Sequence, residues 1–278
     1  MHRQPRITLS LLLALLLGTA TAQHDAFLDL IVDGTPQQVQ AAIEAGANIH
    51  MRGPGGATPL MLAAIGGQPG TLDLLITAGA NVDARNDHGT TPLMFAAAYG
   101  PLEHVLALIN AGADIEAQDG RGATPLHRGS WYGTPENVKA LLDAGASPDR
   151  PNEDGMTPLI TAAKYGHPQS AQLLLDAGAD IEARDVAGQT PLISAAGWGK
   201  AESVRILVNA GADLEAQEET GFTPLIAAAT RDTEPEIITI LANAGADLEA
   251  REFTYDATAL LLSIALGTPA HVETLLDA

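Results

Sequence analysis

Residues 157–166 read Thr157-Pro158-Leu159-Ile160-Thr161-Ala162-Ala163-Lys164-Tyr165-Gly166. Threonine can cap a helix with its side-chain oxygen, and proline fits the first helical position, where no N–H is needed. Small alanines follow on one side, and Gly166 ends this short helix. Pro168 then opens a second helix, whose apolar residues Ala171, Leu173, Leu174 and Leu175 are expected to face a neighbour. Gly178 closes it, as glycine does when a helix ends in the left-handed conformation. The stretch from Ala179 to Thr190 is polar and carries glycine, so it reads as a turn or hairpin finger.

The same unit recurs along the chain. Thr-Pro-Leu begins at Thr58, Thr91, Thr124, Thr157, Thr190 and Thr223, always 33 residues apart. A weaker copy, Thr258-Ala259-Leu260, follows after 35. Ala-Gly-Ala keeps the same beat around Gly46, Gly79, Gly112, Gly145, Gly178 and Gly211, and then Gly245. A period of this length means stacked repeats, each burying its apolar face on the next. The 28 glycines and 17 prolines fall mostly at fixed phases, so they punctuate repeats and do not signal disorder. Prolines open the first helices, and Pro36, Pro69, Pro101, Pro135, Pro168, Pro235 and Pro269 are expected to open the second ones.

These residues resemble the ankyrin repeat family, whose unit is 33 residues long with the signature Thr-Pro-Leu-His-x-Ala. Thr124-Pro125-Leu126-His127 matches through the histidine, while Met61, Met94, Ile160, Ile193 or Ile226 stands there in other units. The resemblance implies an all-α solenoid of stacked helix-turn-helix units with hairpin or loop fingers. About eight units are expected over residues 25–278, the first and last being atypical caps. It also implies a curved stack with one concave face built from fingers and first helices. His127, on that resemblance, is structural and bonds to neighbouring loop backbone.

Residues 1–22 stand apart. Arg3 and Arg6 precede an apolar run from Ile7 to Leu17, and small residues follow at Ala20 and Ala22. That order is a secretory signal peptide cleaved after Ala22, its apolar core being shorter than the roughly 20 residues a bilayer span needs. The mature domain is then 23–278, without a membrane anchor, located in the periplasm or secreted. Eleven arginines against three lysines, with abundant alanine and glycine, suit a GC-rich bacterial genome. The chain resembles the ankyrin proteins that Gram-negative bacteria send to the periplasm.

Composition narrows the function. The formal charge is −20, which opposes binding to nucleic acid or to an anionic membrane. The absence of cysteine excludes disulfides, thiolate metal sites and cysteine nucleophiles. No phosphate loop, Gly-x-Ser-x-Gly or His-Glu-x-x-His occurs. The histidines fall in different units and read as sharing no register. No cofactor, metal site or catalytic set is expected, and the chain reads as a monomeric non-enzyme.

Two columns remain. Acids recur four residues after each repeat glycine, at Asp83, Glu116, Asp149, Glu182, Glu215 and Glu249, and others recur two after it. They read first as a solvated edge, with a patch for a basic partner or a weak cation site as alternatives. Arg52, Arg85, Arg184 and Arg251, six after the glycine, are expected to offset them in part. The second column is aromatic. Counting threonine as position one, position nine reads Tyr99, Tyr132, Tyr165 and Trp198, position eight adds Trp131 and position five adds Phe95. Five of the chain's six Tyr and Trp lie in positions eight and nine. Such residues dominate binding hot spots, although packing on the next unit would give the same stripe. With Arg128 and Lys164 they form the candidate protein-binding face: Phe95, Tyr99, Arg128, Trp131, Tyr132, Lys164, Tyr165 and Trp198. Finger-tip residues Asp87, His88, Arg121, Glu153 and Asp154 vary beside it. The function expected is an exported, non-catalytic scaffold that binds a partner protein, basic in character, through its concave face. An immunity or inhibitor protein against a basic secreted toxin or enzyme, or an assembly factor for a periplasmic enzyme, is the alternative.

Overall fold

The computed structural model describes residues 25–198, 200–231 and 233–278. The expected signal peptide lies outside them. The described residues are all-helical, without a β-strand, and the chain divides after Ala146 into two compact units.

The first compact unit holds four helix pairs: α1 (Asp25–Asp33) with α2 (Pro36–Glu44), α3 (Pro59–Gly66) with α4 (Thr71–Thr77), α5 (Pro92–Tyr99) with α6 (Leu102–Asn110), and α7 (Pro125–Tyr132) with α8 (Pro135–Asp143). The second holds four more: α9 (Pro158–Tyr165) with α10 (Pro168–Asp176), α11 (Pro191–Trp198) with α12 (Ala201–Asn209), α13 (Pro224–Thr230) with α14 (Glu236–Asn243), and α15 (Ala259–Leu266) with α16 (Pro269–Asp277). Each unit is a solenoid of helix-turn-helix repeats.

From α3 on, each first helix starts as its sequence requires. Thr58, Thr91, Thr124, Thr157, Thr190, Thr223 and Thr258 accept the backbone N–H three residues on, at 3.3–3.4 Å. That satisfies one of the donors a helix start leaves open. The leucine two after the threonine is buried (Leu60, Leu93, Leu126, Leu159, Leu192, Leu225). Fully buried alanines such as Ala63, Ala64, Ala96 and Ala97 keep adjacent first helices close. In α10 burial selects Ser170, Ala171 and Leu174, while Leu173 and Leu175 are only half-buried. The 3.6-residue period puts positions 171 and 174 on one face and turns 173 and 175 off it.

The second helices begin less uniformly than their prolines suggest. Pro36, Pro135, Pro168 and Pro269 do open them. Pro101 and Pro235 instead sit at the cap, and Pro69 precedes a left-handed Gly70 that caps α4. The helices end on glycines with φ between 85° and 97°, from Gly46 to Gly245. At each, the following alanine returns its N–H to the carbonyl five residues back, as Ala80 does to Leu75 at 2.9 Å. Gly100 serves a different need, because its φ is −80°. A Cβ there would lie 2.3 Å from the Ala64 carbonyl oxygen of the preceding repeat.

The two extra residues of the repeat that starts at Thr223 have separate places. One lengthens the connection between α13 and α14. The other enlarges the finger, where Glu252 N–H reaches Ala257 O across five residues, against four for Glu218 and Phe222. Asp256 absorbs it in the left-handed region, φ 54°, where earlier fingers use glycine.

Candidate protein-binding surface

The fingers are tied by backbone bonds about one period apart. Asp87 N–H donates to Gly55 O (3.0 Å) and Gly120 N–H to His88 O (2.8 Å) in the first compact unit. In the second, Val186 N–H donates to Asp154 O (3.0 Å), Glu219 N–H to Ala187 O (3.2 Å) and Phe253 N–H to Thr220 O (2.9 Å).

The acid columns belong to this framework. Asp83 accepts the Asp114 N–H at 2.8 Å. In the second compact unit Asp149 accepts from Asp180 (2.7 Å), Glu182 from Asp213 (2.8 Å) and Glu215 from Asp247 (2.8 Å). The acid two after the glycine turns back on its own chain, Asp180 accepting Glu182 N–H and Asp213 accepting Glu215 N–H, each at 2.9 Å. These carboxylates are therefore a hydrogen-bonded ladder, more than a solvated edge. The arginines six after the glycine do not mainly offset them. Arg52, Arg85 and Arg184 reach forward to the carbonyls of Arg85, Gln118 and Gln217, at 2.8, 2.6 and 2.6 Å.

A further polar register lay unnoticed in the sequence. Asn86, Asp119, Asn152, Asp185 and Glu218 each accept two N–H groups inside their own finger. Glu252 accepts from Thr254, Tyr255 and Ala257. Burial pushes the Glu252 carboxyl up, but these N–H groups and the Thr254 hydroxyl outweigh it and hold it below its ordinary value.

Two of the histidines do share a register, contrary to the sequence reading. His104 and His271 both stand 13 residues after their repeat threonine. His104 Nδ1 donates to Ala64 O and His271 Nε2 to Thr233 O, both at 3.2 Å, and both rings are buried. Asn137 takes the same place in its repeat and donates to Gly100 O at 3.0 Å. His104 and Asn137 cover carbonyls that the preceding first helix leaves open near its C-terminus, and His271 covers one in the connection that follows α13. His127 accepts the Thr124 N–H on Nδ1 at 3.1 Å, completing a capping box.

Of the candidate face, Phe95, Tyr99, Arg128, Trp131 and Tyr132 lie in the first compact unit. Trp131 stacks on Tyr132 with ring centroids 4.5 Å apart, and Tyr99 meets Tyr132 at 5.4 Å, tilted by 34°. Tyr99 and Tyr132 remain 37% and 39% exposed, while Phe95 and Trp131 are half-buried. Arg128 forms an ion pair with Asp119, whose other oxygen organises a finger. Burial raises the Tyr99 phenol, and the Arg128 charge draws it partly back.

Lys164, Tyr165 and Trp198 lie in the second compact unit. Lys164 and Tyr165 are half-buried, and Trp198 is 56% exposed. Burial and the charge of Asp154 raise the Tyr165 phenol. Arg231, which the sequence reading passed over, places its guanidinium 3.9 Å from the Trp198 ring centroid. It occupies position nine of its own repeat, so the column continues through it.

A profile of the ankyrin family, described as ankyrin repeats (3 copies), matches residues 28–119 and 126–218. The chain belongs to the ankyrin repeat family. Ankyrin repeats are in general protein–protein interaction scaffolds, typically without catalysis. The search of curated proteins found no match. Among the described residues, no group of three or more His, Asp or Glu could hold a metal ion. No helix among them is long and apolar enough to cross a membrane.

Proposed function

We propose that this ankyrin protein is exported, works in the periplasm or outside the cell as a monomer, and captures a partner protein on the aromatic column of its first helices. The observation that carries this reading is exposure. Tyr99, Tyr132 and Trp198 keep 37%, 39% and 56% of their surface in solvent, although most of the residues before them in each helix are buried. Large aromatic rings held rigidly at helix ends lose little freedom on binding and bury much area. Residues 1–22 support export, and the charge of −20 favours a basic partner.

The test is capture of partners from the native compartment, followed by joint replacement of Tyr132, Tyr165 and Trp198 by alanine. The reading expects capture to be lost while helical content persists. Undiminished capture would assign the column to packing.

A further inference from the structure

The carboxylate ladder has one open rung. Wherever Asp83, Asp149, Glu182 or Glu215 stands, the backbone N–H of the next repeat is accepted by its carboxylate. One repeat before Asp83 the residue in register is His50, and the N–H in question is that of Asn81. Among the described residues no acceptor bonds it. Instead, a groove of about 430 Å³ opens here, lined by His50, Arg52, Asn81 and Arg85, with Ile49 and Leu60 among its apolar walls.

Arg52 and Arg85 line this groove with one acid, Asp83. Arg52 uses Nη1 on the Arg85 carbonyl and Nη2 on the exposed Asp87. Arg85 uses Nη1 on Gly89 O and Gln118 O, and among the described residues no partner bonds its Nε or Nη2. The acid in the wall, Asp83, already has an oxygen on Asp114 N–H. Two guanidinium groups and one unbonded N–H thus border a space that is filled, one period further on, by a carboxylate of the chain itself. Such donors bind a planar anion better than a neutral group, because the hydrogen bonds are charge-assisted.

We propose that this groove binds a carboxylate of a peptide, which accepts the Asn81 N–H and completes the ladder. The apolar wall would take the neighbouring side chain. The carboxylate can come from an acidic side chain or from a chain terminus, and the chemistry at Asn81 is the same. The proposal does not depend on the aromatic column, which lies on other elements.

Three tripeptides test it against the isotopically labelled full chain, followed by the Asn81 amide resonance. One is capped at both ends and neutral, one carries an aspartate between caps, and one has a free C-terminal carboxylate. The expected result is a saturable shift at Asn81 with at least one carboxylate peptide and none with the neutral one. Whichever arm saturates names the source. His50→Glu supplies the missing carboxylate, so it should weaken peptide binding by about tenfold or more, the size of one charge-assisted hydrogen bond. It should also raise the unfolding midpoint, which separates occlusion from misfolding. No saturable shift with either carboxylate, an equal shift with the neutral peptide, or full binding by His50→Glu would overturn the proposal.

Discussion

The Arg231 guanidinium lies over the indole of Trp198, 3.9 Å from the ring centroid. Both residues are position nine of their repeats, so a 33-residue period has placed a cation on a ring. Burial lowers the Arg231 pKa from its ordinary value while the carboxylate of Glu218 raises it, and the arginine stays charged. Arg231→Ala should therefore uncover Trp198. In a Trp131→Phe background, which leaves one indole, acrylamide quenching of fluorescence is expected to increase. Stability should fall by about 0.5–1 kcal/mol, the range for an exposed cation–π contact.

The carboxylate ladder predicts the sign of a charge removal. If the acids only repelled one another, neutralising one would stabilise the chain. Asp83 instead holds the Asp114 N–H at 2.8 Å. Asp83→Ala is expected to destabilise by about 0.5–1.5 kcal/mol, the net worth of one hydrogen bond. Urea unfolding measures it, and a raised midpoint would return the column to simple repulsion.

Two glycines should respond differently to alanine. Gly79 has φ 91° and open space around it, so Gly79→Ala carries backbone strain alone, about 1–2 kcal/mol. A Cβ on Gly100 would press within 2.3 Å of the Ala64 carbonyl, whose helix cannot move without its neighbours. Gly100→Ala should cost about 1–3 kcal/mol through overpacking, and should disturb the Ala64 region. Thermal unfolding and amide exchange near Ala64 distinguish the two.

Glu252 gives a pH signature. Its folded pKa is lowered, so its contribution is present above the ordinary carboxylate value and is lost as pH falls through the folded one. Glu252→Gln should be less stable than the parent at neutral pH, and the gap should close on acidification. Unfolding midpoints of the two proteins between pH 7 and acid, about pH 3, measure the closing gap.

The repeats were legible because their signals are local and repeated. Thr157 and Pro158 start a helix by themselves, and Gly178 ends one by itself. The family, the helix pairs and the aromatic column follow from those phases. The roles of Asp83 and Arg85 did not, because a carboxylate that bonds a backbone 31 residues away looks like any exposed acid in sequence. Pro69 misled for a related reason: proline restricts its own φ, but the left-handed Gly70 decides where α4 begins. His104 and His271 escaped notice because their common phase appears only when counted from Thr91 and Thr258. Arg231 was missed because the column was followed by residue type, and the member after Trp198 changes from a ring to a cation.

The ladder bonds all run one way. Asp83, Asp149 and Glu182 accept from the repeat that follows, and Arg52, Arg85 and Arg184 donate into it. Each of these junctions is thus a socket offered by one repeat and a plug supplied by the next. Duplicating or excising 33 residues joins an old socket to an old plug and demands no new chemistry. An insertion of any other size must be absorbed within one repeat, as Asp256 does with its left-handed backbone. Length, in this architecture, is a quantity that can change by whole steps without the interior being redesigned.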